Sequence, residues 1–212
     1  MIAVVLGTRP EIIKMSPIIR LLREKQEDFF VIHSGQHYSY NMDKIFFEEL
    51  ELPAPEFHLD VGSGSHGEQT AKILAETERI LIQERPDTVL VQGDTNTVLA
   101  GALAAVKLHI DVGHVEAGLR SHDRRMPEEV NRVLTDHMSE YLFAPTQEAK
   151  KNAVLERIAA DKIYITGNTI VDSVQQNLKV AGNYRKILDE LSLKQENYFL
   201  VTAHRQENVD DK

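Results

Sequence analysis

Arg9, Asp94, Glu116 and Glu128 stand in short clusters of small and polar residues, and their types suit acid–base work on an anionic ligand. Gly7-Thr8-Arg9-Pro10 joins an apolar run to an amphipathic one. Its glycine admits close backbone approach, its proline suits a first helical turn, and a helix N-terminus attracts anions. Arg9 adds a planar fork for phosphate. Lys14, one turn past Glu11, either reaches the same ligand or rests on the surface. Asp94 lies in Gln92-Gly-Asp-Thr-Asn96, and Glu116 lies in His114-Val-Glu-Ala-Gly118. Two carboxylates at neighbouring strand ends can act as acid and base when their surroundings separate their pKa values. Each also has a plainer reading, Asp94 as a helix N-cap and Glu116 as an ion-pair partner of Arg120. Glu128 and Glu129 follow Pro127, where acidic side chains favour a helix start. Arg120, Arg124, Arg125 and Arg132 make this stretch basic, as an anion site or as a solvated loop.

Other chemistries lose their support. No GxGxxG or Walker loop points to nicotinamide hydride transfer or ATP hydrolysis, and no GxSxG elbow points to a serine hydrolase. The chain has no cysteine, which removes disulfides, thiolate metal sites and a thiol nucleophile, and fits a cytosolic setting. Among nine histidines, His33 and His37 are four apart, but across a strand end rather than along one helix face. No catalytic metal is expected.

These residues need a scaffold that gathers them. Short, nearly all-apolar runs occur at Ile2–Leu6, Phe29–His33, Thr88–Gln92, Asp111–Val115, Tyr141–Ala144, residues 163–166 and Tyr198–Thr202. They read as strands buried on both faces of a parallel sheet. Amphipathic stretches lie between them: Glu11–Lys25 with a kink at Pro17, Glu68–Glu84, Thr95–Lys107, Glu128–Glu140, Gln147–Ala159 and Ile170–Val180. The alternation predicts an α/β fold with a doubly wound parallel sheet. In such sheets ligands bind beyond the carboxyl ends of the strands. Nearly every predicted strand ends in a polar cluster, including Ser34-Gly-Gln36-His37, Pro145-Thr146 and Gly167-Asn-Thr169. That coincidence predicts an extended polar ligand along one sheet edge. Gly62–Gly67 reads as a surface connection or a mobile lid.

The 212 residues carry 24 Lys+Arg against 33 Asp+Glu, a net charge of −9, with 42% hydrophobic residues. That is ordinary for a globular protein of one large or two small domains, and it excludes a wholly disordered chain. The acidic balance argues against nucleic acid or an anionic membrane as partner. No run is long enough to span a bilayer, and the N-terminal run reads as too short for a signal peptide. Tyr198–Ala203, followed by His204-Arg205, reads as the opening strand of a second domain.

Taken together, the motifs carry a resemblance. GTRPEIIKMSP (Gly7–Pro17), SGQHY (Ser34–Tyr38), VQGDTNT (Val91–Thr97), GHVEAGLRS (Gly113–Ser121), MPEEVNR (Met126–Arg132), ITGNTIVD (Ile165–Asp172) and VTAHRQEN (Val201–Asn208) occur in this order. Over essentially the whole chain they resemble the non-hydrolysing UDP-N-acetylglucosamine 2-epimerases, in the style of the archaeal branch. The resemblance implies one Rossmann-like half of a glycosyltransferase-B-like two-domain fold. Residues 1–168 would form the N-terminal domain, and 169–212 the crossover helix and first strand of a second. It implies reversible conversion of UDP-N-acetylglucosamine to UDP-N-acetylmannosamine by elimination and re-addition of UDP, with no cofactor. The product would supply cell-surface polysaccharide. A cytoplasmic homodimer is the expected form.

By the same carry-over Asp94, Glu116, Glu128 and His204 are the acid–base candidates, with no role assigned among the carboxylates. Arg9, Lys14, Gln36, His37 and Arg132 are the substrate-binding candidates. The family's second domain brings most uridine and diphosphate contacts, so this chain alone is expected to show little activity. The bacterial activator segment is not matched. Tyr-Ser-Tyr-Asn follows Gln36-His37, and Glu68 rather than an arginine precedes Gln69-Thr70. The alternatives are a hydrolysing relative, an inactive dimerising or sugar-binding fragment and, by fold alone, a glycosyltransferase.

Overall fold

The computed structural model describes residues 1–35, 40–181, 186–194 and 196–201. Seven parallel strands form one sheet: β1 (Ile2–Leu6), β2 (Phe29–His33), β3 (Phe57–His58), β4 (Thr88–Gln92), β5 (Asp111–Val115), β6 (Tyr141–Ala144) and β7 (Ile163–Ile165). Their order is β3-β2-β1-β4-β5-β6-β7. The winding direction reverses between β1 and β4, where Ile2 pairs with Thr88 and Val4 with Leu90. A crevice opens beyond the carboxyl ends at such a switch point.

The apolar runs are strands because both of their faces are covered. Ala3 and Val5 pack with Val91, Val98, Ala102 and Leu81. Val4 and Leu6 face the other way, onto Ile12, Met15 and Ile19. The covering helices are α1 (Arg9–Glu24), α2 (Tyr40–Glu49), α3 (His66–Glu84), α4 (Asn96–Lys107), α5 (Pro127–Met138) and α6 (Gln147–Leu155); α7 (Thr169–Ala181) and a short α8 (Lys186–Glu190) come later in the chain. This Rossmann-like α/β fold is the one the alternation predicts. The chain divides into two compact units, Met1–Val174 and Gln175–Lys212, and the whole sheet lies in the first.

Local differences from the sequence reading have physical causes. Ser65 and Glu68 form a capping box, so α3 begins at His66, inside the stretch read as loop. Helix α1 runs through Pro17. Proline removes the amide that would bond the Ile13 carbonyl, and the Ser16 hydroxyl donates to that carbonyl instead at 2.8 Å. Helix α5 stops at Met138 because Ser139 turns extended. Helix α6 stops at Leu155. Helix α2 and the two-residue β3 were not foreseen. The predicted buried strand at Tyr198–Thr202 is corrected: Tyr198–Val201 form no ladder, and Phe199 is 98% exposed. A strand exists only with a hydrogen-bonded neighbour, and these residues have none among the described ones. Thr202 lies outside the described residues.

Candidate active site

The turn after β1 is shaped by Glu11. It is the N3 residue of α1, and its carboxylate reaches back to the helix start. Its Oε2 accepts from the Gly7 amide at 2.5 Å and the Thr8 amide at 2.8 Å. Its Oε1 accepts from the Thr95 hydroxyl at 2.5 Å, after β4. Burial pushes the Glu11 carboxyl above its ordinary pKa, against the opposing pull of those donors. Gly7 is required by space. A Cβ there would lie 2.1 Å from Ser34 Oγ and 2.5 Å from Thr97 Oγ1.

Glu116 sits where β5 ends, with φ +72°, a left-handed conformation uncommon for a residue bearing a Cβ. Such backbone strain is concentrated at functional positions. Its carboxylate accepts from Lys14 Nζ at 2.6 Å, from the Gln92 amide, and from Asn168 Nδ2 at 3.0 Å. Asp94 follows β4. Its carboxylate pairs with Arg132 on α5 at 2.5 Å, and its carbonyl accepts from Asn131 Nδ2 at 2.8 Å. A cleft of about 210 Å³ is lined by Thr8, Pro10, Glu11, Lys14, Gln92, Gly93, Asp94, Thr95, Glu116, Leu119 and Arg132. It lies at the switch point and holds three carboxylates facing a lysine and an arginine.

A buried polar network supports the floor. His114 Nδ1 meets Asp136 Oδ1 at 2.6 Å, and His114 Nε2 meets the Gly93 carbonyl oxygen at 2.8 Å. Asp136 Oδ2 accepts from the Gly118 amide at 3.0 Å and pairs with Arg120 at 2.7 Å. Arg120 also grips Glu156 with two nitrogens, at 2.8 and 2.7 Å. Burial works to raise the Asp136 pKa, but His114 and Arg120 outweigh it and leave it depressed. Burial likewise opposes the Arg120 charge, and Glu156 and Asp136 overcome it, raising its pKa. Gly118, at φ +80°, has no room for a side chain, since a Cβ would meet the Ala149 carbonyl oxygen at 2.2 Å.

Four of the residues predicted from sequence therefore meet in the cleft: Asp94, Glu116, Lys14 and Arg132. Arg9 is exposed at the first position of α1, outside the lining. Glu128 is exposed on the first turn of α5 and does not line the cleft. Its neighbour Glu129 is buried instead, accepting from the Ser121 and His122 amides. Gln36, His37 and His204 lie outside the described residues.

The plainer readings of the two carboxylates are replaced. Thr95, not Asp94, caps α4. Arg120 turns to Asp136 and Glu156, leaving Glu116 to Lys14. Sequence reasoning missed Glu11, Gln92, Thr95 and Asn168 as parts of the site. Gln92, Thr95 and Asn168 lay in the polar strand-end clusters without being singled out, and Glu11 had the Thr8-x-x-Glu11 capping spacing. Among the described residues no group of three or more His, Asp or Glu side chains is arranged to hold a metal. No helix among them is long and apolar enough to cross a membrane.

Comparison with known proteins sets this geometry in context. A family model described as UDP-N-acetylglucosamine 2-epimerase matches residues 20–212. The chain is 61% identical to a UDP-N-acetylglucosamine 2-epimerase of Methanocaldococcus jannaschii, over 100% of its own length and 58% of the relative's. It is 62% identical to one from Methanococcus maripaludis, covering 99% of the chain and 57% of that relative. The structure of the Methanocaldococcus jannaschii enzyme in complex with UDP-GlcNAc and UDP superposes with a TM-score of 0.92 at 61% identity. That match covers 99% of this chain and 58% of the other. The chain thus spans less than two thirds of the length of these relatives.

Proposed function

The chain belongs to the UDP-N-acetylglucosamine 2-epimerase family, and on that premise we propose that its protein interconverts UDP-N-acetylglucosamine and UDP-N-acetylmannosamine. The observation that carries the reading is the pairing of Asp94 and Glu116 in one cleft at adjacent strand ends, with Lys14 and Arg132 beside them. In the proposed reaction a base takes the proton from sugar C2, and UDP leaves C1 with the bonding electron pair, giving a 2-acetamido glycal. Proton return to the opposite face of C2 and re-addition of UDP to C1 complete the epimerisation. The sequence is redox-neutral, so it calls for proton carriers and for positive charge at the leaving diphosphate. Asp94 and Glu116 are proposed as the proton carriers. Glu128 and His204 complete the acid–base set by family resemblance, with Arg9, Lys14, Gln36, His37 and Arg132 on the substrate.

The division into a domain of residues 1–168 and a crossover segment of 169–212 belongs to the same proposal, as does a cytoplasmic setting. So does a homodimer. It is supported by an apolar stripe along α5 and its N-cap, where Met126, Val130 and Leu134 are 38%, 36% and 46% exposed. Light scattering is expected to give twice the chain mass, and Leu134→Glu is expected to return it to the monomer value.

The catalytic reading is tested by incubating the protein with UDP-N-acetylglucosamine in deuterated water, without NAD, and following the sugar by proton NMR. Epimerase chemistry shows as loss of the C2 proton signal and growth of a mannosamine-type anomeric signal still bound to UDP, at the low level expected of this chain alone. Free N-acetylmannosamine with free UDP would instead identify a hydrolysing enzyme. A silent spectrum would overturn activity in this chain.

A further inference from the structure

We infer that Glu11 is a positioning residue for the proposed reaction: its carboxylate clamps the turn after β1 to the turn after β4, fixing the spacing across the cleft. The inference deepens the reading above and rests on it. One carboxylate oxygen holds the Gly7 and Thr8 amides, and the other holds the Thr95 hydroxyl, 84 residues away in sequence. Thr95 directly follows Asp94, and Thr8 directly precedes Arg9. The clamp therefore joins the backbone that carries a basic candidate to the backbone that carries a proton-carrying candidate.

A helix cap alone does not need this arrangement, and the same chain contains the comparison. Glu68 closes the capping box of α3 by accepting from the Ser65 amide at 3.0 Å and its hydroxyl at 2.9 Å, both on its own turn and both exposed. Glu11 closes its cap as well, but it is 2% exposed and bonds across to a second loop. Burying a carboxylate is costly unless it is fully hydrogen-bonded, and here both oxygens are engaged. The turn after β1 also packs on the start of α4 beneath it, where Gly7 lies against Thr97 Oγ1 and against Ser34 Oγ at the end of β2, themselves 2.8 Å apart. The clamp closes the open side of a junction already tight at its base.

The test uses Glu11→Gln, Thr95→Val and Thr95→Ser, with UDP-N-acetylglucosamine as probe. Glu11→Gln and Thr95→Val are expected to lower kcat roughly ten- to a hundredfold with KM within about threefold, because misplacement by an ångström costs turnover more than binding. The double variant is expected to fall no further than the worse single one, and Thr95→Ser is expected to recover most of the loss. Additive losses, or equal changes in kcat and KM, would overturn the clamp. Ligand-free NMR gives an independent reading. Thr95→Val should shift the Gly7 and Thr8 amides, and Glu11→Gln should shift the Arg132 guanidinium signal next to Asp94. Changes confined to each side would overturn the inference. A wild-type protein that leaves the C2 proton in place would overturn activity in this chain, and the ligand-free spectra would still decide the clamp.

Discussion

Glu116→Gln is expected to slow C2 proton exchange by roughly 10²–10⁴-fold, the usual contribution of a positioned proton carrier. The side chain keeps its length, so any loss reports chemistry rather than a cavity. Three donors converge on the native carboxylate, from Lys14, Gln92 and Asn168. A carboxylate can accept all three, whereas a glutamine turns an N–H₂ group towards some of them. Lys14 also loses its counter-charge. The fold should survive, because the Glu116 amide still donates to the Phe143 carbonyl and the side chain is not in the apolar core. Exchange measured by NMR, beside thermal melting of the same sample, separates the two effects. Turnover within about threefold of wild type would remove Glu116 from the proton-transfer steps.

Asp136→Ala carries the largest expected cost in stability, about 3–5 kcal/mol, as for other buried ion pairs that lose one member. Arg120 has a side chain only 1% exposed, and the substitution would remove one of its two carboxylate partners, leaving Glu156 and the Leu119 carbonyl. The Gly118 amide and one His114 ring nitrogen lose their acceptor as well. The pH dependence follows from the sign of the shift. The Asp136 pKa is depressed in the folded protein, so its contribution is fully present above the ordinary aspartate range near ~4. It is lost as pH falls through the lower folded value. Urea denaturation should therefore show wild type losing stability at acid pH more steeply than Asp136→Ala. Parallel curves would mean that Asp136 is not held ionised by its partners.

What was legible in the sequence was whatever is local. Strands β1, β2, β4, β5 and β6 have the predicted bounds because helices cover both of their faces, which leaves uninterrupted apolar runs. The two-residue β3 has no such run; Phe57 is half-buried and His58 exposed. Tyr198–Val201 had the right composition, but composition does not supply a ladder partner. The polar strand ends were readable as a group because a parallel sheet points all its carboxyl ends to one side. Their pairings were not, since they join residues distant in sequence: Glu11 with Thr95, His114 with Asp136, Arg120 with Glu156. Nearby charges misled where a distant partner offered more, as when Arg120 turned from Glu116 to a buried aspartate.

The register of β1 also bears on how the molecule is made. Of the strands in this sheet, the first to be synthesised, β1, is a central one, paired on one side with β2 and on the other with residues 88–90. At roughly 5–20 residues per second, several seconds separate the synthesis of those two partners. Over that interval β2, α1, α2 and α3 are available to cover the Ile2–Leu6 run, but its β4-side edge stays open. Vectorial synthesis thus leaves one edge of a central strand without its ladder partner until Thr88 can pair with Ile2.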